Sequence, residues 1–480
     1  MEMREWCKGL EPKEVFKYFD ALSCIPRGSG NLEAVSDAAV EWLREMGLRA
    51  EKDKWCNVKA FKPASPGCED RPTLLFTTHL DMVCAKTDTS THDFLRDPIP
   101  VYLAADGDTI TADGTTLGAD DGMGAAFVFA ILADDTLPHG PLEAVFTADE
   151  ETDMSGALNL DYSDLKADVV VNLDGDPIGV AGAGELDTIA RIGYETEPAG
   201  ERDFYKITVS GLQGGHSGME AMKERGNAAT ILARTLAAIE KEADFRLASF
   251  TSGNDSSTAF AYFAAAEIAL APGSDDVLAS VISRMQAVFS AELVLRDEGV
   301  TLRAEKCAAA EKVIRAADTK RLLDFLLLVP DGVCSRNMAS PALMESSVNS
   351  GVVRTLDDAF TVLSTVRSGL KERKYALYER MERLAALCGA ELSIDNDLPE
   401  WPRRLTPELE ALCHECFPTS PIVIEEATNE CGIFCAHLPN ASVVSLQCPY
   451  KGAHSTNESI SLKDVGVYYA RMREFVEKLK

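Results

Sequence analysis

The sequence predicts an α/β fold: a mixed central sheet covered by helices, with an α+β segment inserted into it. Three observations predict this. Four apolar, β-rich runs, TLLFTT (73–78), LEAVFT (142–147), DVVVNL (168–173) and ASVVSL (441–446), read as buried strands of the parallel or mixed kind. A long apolar helix, MGAAFVFAILAD, lies between the first two, and strand–helix–strand alternation implies a sheet covered on both faces. Between Gly184 and about Asp395 the pattern changes to polar–apolar alternation, as in half-exposed antiparallel strands.

In chain order, residues 12–24 and 32–47 have helical periodicity and precede the first strand. The apolar strands and their helix then fill the first part of a catalytic domain, residues 1–184. The inserted domain spans 185–395. In it FYKITVSGL (204–212) and ESSVNSGVVRTL (345–356) alternate, and each is followed by a long amphipathic helix, so the segment reads as two similar halves. NDLPEWPRRLTP (396–407), rich in Pro and charge, is expected as the return linker to the second part, 396–480. The run Gly179-Val180-Ala181-Gly182-Ala183-Gly184 is expected to supply tight turns entering the insertion. Its spacing is not G-x-G-x-x-G and no P-loop lysine follows, which argues against a nucleotide enzyme.

Composition narrows the function classes. The 480 residues suffice for two or three domains, and 46% are apolar, ordinary for a globular enzyme. With 47 basic against 77 acidic residues the net charge is −30, which argues against nucleic-acid and anionic-membrane partners. No apolar run approaches the ~18 residues of a membrane span. The start, MEMREWCKGLEPKE, has charges where a signal peptide needs an apolar core. Thirteen cysteines scattered without a framework fit a reducing, cytoplasmic location with free thiols. Cys413 and Cys416 form a lone C-x-x-C; a structural zinc site needs a second such pair, so both are expected on one face of a helix, TPELEALCHECF.

The chemistry gathers after the strands. His79-Leu80-Asp81 follows the first, Asp149-Glu150-Glu151 the second, Asp174 the third, and a loop carrying His454 the fourth; Asp120 and Asp121 precede the long helix. Ligands of open α/β sheets bind beyond the carboxyl ends of the strands, so one crevice should receive all five segments. Without metal, Asp120, Glu150, Glu151 and Asp174 would crowd like charges that cannot all stay ionised. Asp120, Glu151, Asp174 and a bridging hydroxide would balance two zinc ions, with cobalt or manganese as alternatives. His79 and Asp81, two apart on a strand, face one way, so Asp81 can accept the second ring N–H of a metal-binding His79. Of the adjacent Glu150 and Glu151, one can ligate while the other serves as general base toward a water whose pKa metal lowers from about 15.7 to about 7.

At these residues the chain resembles the aminoacyl-histidine dipeptidase (Xaa-His dipeptidase) family of di-zinc metallopeptidases. The resemblance runs through THLDMV (78–83), TTLGADDGMG (115–124), TADEETDMSGA (147–157), NLDGD (172–176), GLQGGHSG (211–218), VRSG (366–369), NECGIF (429–434) and GAHSTNE (452–458). It implies that Asp120 bridges both ions, that His79 and Asp174 hold one, and that Glu151 and His454 hold the other. It further implies Glu150 as general base and Asp81 as the residue orienting His79. The insertion would be a lid with ferredoxin-like halves whose His216 stabilises the tetrahedral oxyanion. Arg367 is a candidate for holding the substrate carboxylate, and Glu430 a candidate on the substrate side.

Two stretches depart from the family pattern. Relatives carry an Arg-Asn-Ala-Ile-Pro-like run where this chain has Asn254-Asp255-Ser256-Ser257-Thr258-Ala259-Phe260, and His-Ala-Gly-Leu-Glu-Cys-Gly where it has Glu426-Ala427-Thr428-Asn429-Glu430-Cys431-Gly432. Both would line the substrate side, so preference for a C-terminal histidine does not carry over. The expected reaction is metal-dependent hydrolysis of a dipeptide amide bond. The competing readings are hydrolysis of another small amide, such as an N-acyl amino acid, and a catalytically silent metal-binding relative. A dimer through the lid would let His216 act in trans; a single chain would use it in cis.

Overall fold

The computed structural model describes residues 3–175, 177–254, 256–338, 340 and 342–480. The chain divides into two compact units, one made of Met1–Gly182, Trp401–Glu425 and Asn429–Lys480, the other of Ala183–Glu400 and Glu426–Thr428.

The first unit is built on an eight-stranded mixed sheet. In spatial order its strands are Arg49–Lys52, Val58–Lys62, Leu142–Thr147, Leu74–His79, Val169–Asn172, Ser442–Ser445, Gly179–Gly182 and Val423–Glu425. The four apolar runs of the sequence are the four central strands, mutually parallel and almost wholly buried. Burial on both faces is why they lack polar alternation. The register sets His79 opposite Thr147, Thr77 opposite Asn172, and Asn172 opposite Ser445. All four strands therefore release their following loops at one end of the sheet.

The apolar helix, Ala119–Leu132, is buried along its whole length. A helix apolar all round must be interior. Phe129 stacks on Phe146 of the central strand with centroids 4.5 Å apart, and Tyr18 of the helix Lys13–Ser23 stacks on Phe129 at 5.2 Å. Each fully buried Phe of this kind contributes ~1.5–3 kcal/mol relative to exposure. Cys413 and Cys416 are buried on the helix Pro407–Cys416, whose Thr406 caps the Leu409 N–H at 3.2 Å.

The second unit holds a nine-stranded antiparallel sheet: eight strands form two βαββαβ halves, and the ninth, Gly332–Arg336, pairs with Met344–Thr355 off that path. In the first half, Asp203–Ser210, Phe245–Ser252, Ala264–Leu270 and Thr301–Lys306 take the spatial order fourth, first, third, second, with helices Ala228–Glu240 and Asp275–Glu292 as the crossovers. The second half repeats that order with Gly184–Gly193, Met344–Thr355, Ala359–Ser368 and Glu391–Leu398, and helices Ala316–Leu328 and Lys371–Cys388. This is the ferredoxin-like arrangement. The halves join where Ser252 pairs with Val353.

Two local expectations change, and one strand runs against its residues' propensity. The glycine run is not a set of turns: Gly179–Gly182 is a strand, where a Cβ on Gly179 would strike Ser445 Oγ, and Gly184 opens the next strand with Glu400 N 2.6 Å from where its Cβ would be. These glycines allow close backbone approach. The expected linker 396–407 begins inside the strand Glu391–Leu398, and Trp401 is buried and pairs with Gly182. Ala264–Leu270 (AAAEIAL) is a strand despite its helix-forming alanines, because it is buried between two antiparallel neighbours. No described helix is long and apolar enough to cross a membrane.

Candidate metal centre

His79 is the last residue of its strand and is buried; its Nε2 lies 3.2 Å from Asp120 Oδ1. The ring is held from the other side, where Nδ1 is 3.2 Å from the Asp81 carbonyl oxygen and 3.4 Å from Asp81 Oδ1. The backbone oxygen of Asp81 thus joins its carboxylate in facing the second ring nitrogen. A proton on Nδ1 leaves Nε2 as the free donor to a metal.

Asp81 does more than orient that ring. It is wholly buried, and its Oδ1 accepts the Glu150 N–H while Oδ2 accepts the Glu151 N–H, each at 3.1 Å. Ser29 Oγ donates to Oδ2 at 2.8 Å. One carboxylate therefore fixes the backbone of both adjacent glutamates. The turn before them places Asp149 at φ 55°, and Asp149 Oδ1 accepts the Gly30 N–H at 2.6 Å. His454 also has a left-handed backbone, φ 61°. Such conformations are uncommon for non-glycine residues and cluster where side chains must be aimed.

Asp120 lies between the two histidines. Its Oδ2 is 3.2 Å from His454 Nε2, which is itself 2.9 Å from Glu151 Oε2. The peptide bond between Asp120 and Asp121 is cis. Asp174 sits beyond the third strand, its N–H bonded to Asn172 Oδ1 at 2.8 Å; Asp176 of the NLDGD motif lies outside the described residues. Two donor groups result, His79–Glu150–Asp174 and His79–Asp120–Glu151, with the donor atoms of each within 4.8 Å of one another.

The electrostatics are those of a site short of positive charge. Burial, reinforced by Glu430, Glu151 and Asp120, pushes the Glu150 carboxyl well above its ordinary range against the pull of His79. Burial with Asp120 and Glu150 does the same to Asp174. Burial disfavours a charged His79, yet Asp120 and Asp81 hold its pKa well above the ordinary value; Asp120 and Glu151 raise His454 to about 10. Asp120 is correspondingly held low by both imidazoles despite burial. Glu151 Oε1 is buried without a hydrogen-bond partner. That orphaned oxygen and the mixed carboxylate–imidazole donor set fit divalent metal, whose charge would replace these protons.

Other candidates have different surroundings. Glu430 is buried; its Oε2 accepts from Thr147 Oγ1 at 2.8 Å, and burial lifts its carboxyl to about 7. Its contacts are thus interior, at the end of a central strand. In the second unit, Arg367 is buried, ion-paired with Glu185 and donating to Thr428 Oγ1 at 3.0 Å, with Nε unpartnered. His216 Nδ1 accepts the N–H groups of Gly218 and Met219, each at 3.1 Å, so the neutral ring carries its proton on Nε2. Burial, then Arg367, lowers its pKa to about 4, which keeps it neutral. Of the stretch Asn254–Phe260, Asp255 lies outside the described residues.

Residues 75–478 match Peptidase family M20/M25/M40. The chain belongs to this family. Over 98% of its length, and 98% of the relative's, it is 32% identical to the cytosol non-specific dipeptidase of Escherichia coli (strain K12). Its structure is similar to that of an aminoacylhistidine dipeptidase from Vibrio alginolyticus, with a TM-score of 0.88 and 31% identity over 99% of this chain and 98% of that one. A tripeptidase from Staphylococcus aureus, 16% identical over 98% of this chain and 99% of that one with a TM-score of 0.56, shares the fold. The resemblance read from the motifs thus holds over the whole chain. Two supports of this candidate centre are not evident from the sequence. Arg27 is buried and donates to the carbonyls of Leu80 (2.9 Å), Asp81 (2.8 Å) and Gly118. Glu458 accepts backbone N–H groups beside Asp120. Glu458 stood in the GAHSTNE motif, so a signal existed; a single arginine in PRGSG carried none.

Proposed function

We propose that this chain is a dipeptidase that uses two divalent metal ions, zinc with cobalt or manganese as alternatives, to hydrolyse the amide bond of dipeptides. The observation that carries the reading is the gathering of donor atoms of His79, Asp120, Glu150, Glu151 and Asp174 into two groups that share His79, with His454 beside Asp120 and Glu151; the division of ligands between the ions, and the role of Glu150 as base and not ligand, follow the family resemblance. The names of the Escherichia coli and Vibrio alginolyticus relatives supply the substrate class, and the former supplies the cytosolic location we assign.

In this reading Asp120 would be shared by both ions, His79 and Asp174 would hold one, and Glu151 and His454 would hold the other. Bound there, the ions would supply the Lewis acidity that activates water at neutral pH and polarises the scissile carbonyl. Glu150 is the general base. With the ions' charge in place of its proton, its carboxylate would take a proton from the attacking water and return it to the leaving amine. Asp81 sets the aim of Glu150 through the Glu150 N–H and that of His79 through Nδ1. His216, neutral with its proton on Nε2, has the chemistry of an oxyanion donor, the role we give it. Arg367 is proposed as a carboxylate holder; Glu185 already answers its charge, so a substrate carboxylate would have to share it.

The departures at Asn254–Phe260 and Glu426–Gly432 lead us to a broad dipeptide range without preference for C-terminal histidine. The test is purified protein, stripped of metal and reloaded with zinc, against Xaa-His dipeptides, other dipeptides and N-acyl amino acids. Cleavage across the dipeptides is expected. Cleavage of the acyl amino acids alone would replace the substrate class, and inertness with two ions bound would end the proposal.

A further inference from the structure

Asp120 has an unusual structural burden. Its carboxylate faces imidazoles on two sides, at 3.2 Å each, so a small rotation of its peptide would lose one of them. The helix it begins does not fix that peptide. Asp120 (φ −79°, ψ 113°) and Asp121 (φ −102°, ψ 31°) are both non-helical. Something outside the helix must hold it.

That group is Glu458. Its Oε2 accepts the N–H groups of Leu117 and Gly118 at 2.7 and 2.9 Å, and its Oε1 those of Ala119 and Asp120 at 2.7 and 3.2 Å. The side chain is 2% exposed, so both oxygens are used by four successive peptide groups and little water competes. These are charge-assisted bonds to N–H groups that a helix start leaves unpaired. From the opposite side Arg27 binds the Gly118 carbonyl and those of Leu80 and Asp81. Gly118 and Gly122 leave the space the guanidinium fills, since a Cβ on either would strike Arg27 Nη2.

Glu458 also stands four residues after His454 on the same loop, with Glu458 N–H bonded to Ser455 O at 3.1 Å. One carboxylate therefore ties the loop carrying His454 to the segment carrying Asp120. We infer that Glu458 is a positioning residue for the metal pair, setting the separation of Asp120 and His454 through the backbone of residues 117–120. This rests on the proposed ligand assignment, and it ascribes to Glu458 no contact with metal or substrate.

Glutamine at this position keeps the shape but replaces one accepting oxygen by a donor that would face two N–H groups. Aspartate keeps the charge and loses reach. For outer supports of this kind a loss of about 10–100-fold in metal affinity is the expected scale. The experiment titrates metal-free full-length wild type, E458Q and E458D with zinc by calorimetry, alongside thermal unfolding in EDTA. Wild type is expected to bind two ions. Each variant is expected to melt cooperatively in EDTA yet bind at least one ion about 10–100-fold more weakly, with E458D the less affected. At saturating zinc, kcat should fall with KM little changed. A folded variant of either kind that binds both ions as wild type does would overturn the inference. So would loss of folding in both variants, since Glu458 would then serve the fold and not the ions. Wild type that binds no pair of ions would instead sink the ligand assignment.

Discussion

Replacing Asp81 by asparagine changes one atom and disturbs three neighbours. In the native protein Oδ1 accepts the Glu150 N–H and Oδ2 accepts the Glu151 N–H, both at 3.1 Å, and Oδ1 lies 3.4 Å from His79 Nδ1. An amide can accept at only one of these positions. Whichever way it turns, one part-buried peptide N–H faces an NH2 group instead of an oxygen. An orphaned buried donor costs about 1–3 kcal/mol, and part-burial places this one toward the lower end. Ser29 Oγ can rotate to accept and adds little to the loss. The variant should therefore unfold earlier than wild type in EDTA, where no ion contributes. In zinc, a slackened His79 and an unanchored Glu150–Glu151 pair should weaken metal binding by about 10–100-fold. Thermal unfolding in EDTA, zinc calorimetry and kcat/KM on a dipeptide read the three effects separately. D81N that melts with wild type and binds zinc equally would refute the assignment of Asp81 as the shared anchor.

Further outcomes follow from the same geometry. E150Q should retain zinc affinity but lose about 10²–10⁴-fold in kcat, the scale of a general base, measured on the zinc-loaded enzyme. H216A should leave zinc binding unchanged and lower kcat about 10²–10³-fold on dipeptides, as removal of an oxyanion donor does; an unchanged kcat would remove His216 from the reaction. Glu143 lies apart from the metal centre, 5% exposed on a central strand, and burial raises its carboxyl from 4.5 to about 7. A folded pKa above the unfolded one means stability falls as pH rises from 4.5 through about 7, so E143Q should match wild type near pH 4.5 and exceed it at pH 8 by at most about 3 kcal/mol in denaturant unfolding.

How far the fold could be read depended on where each element buries its surface. The four central strands were legible because both faces are covered and nothing polar interrupts them, so Leu142–Thr147 matched its apolar run residue for residue. In the second unit the strands are antiparallel and only partly buried, and the signal weakens. Ala264–Leu270 carries alanines that favour a helix and becomes a strand only because Asp203–Ser210 and Phe245–Ser252 flank it. Likewise Gly179–Gly182 resembles a turn in sequence; its strand pairing with Val423–Glu425 depends on a segment more than two hundred residues away. Non-local pairing leaves no local trace.

The metal centre divides along a different line. The proposed ligands and base are legible because few side chains can do such work: an imidazole or carboxylate at or just past a strand end is chemically restricted, and His79, Glu151 and Asp174, with the proposed base Glu150, all have that placement. Their supports are bound through the peptide backbone, which every residue possesses. Arg27 reads three carbonyls and Glu458 four N–H groups, and neither needs a particular partner side chain. A motif search for ligands therefore sees the cage and misses what keeps it rigid. Asp81 is the intermediate case, since it touches His79 recognisably but anchors Glu150 and Glu151 through N–H groups alone. The same backbone anchoring makes the centre sensitive at residues with no chemistry of their own. A Cβ on Gly118 would strike Arg27 Nη2 and Met82 Sδ at a left-handed φ of 71°, so G118A should shift the peptide beside Asp120 and lower zinc affinity in calorimetry.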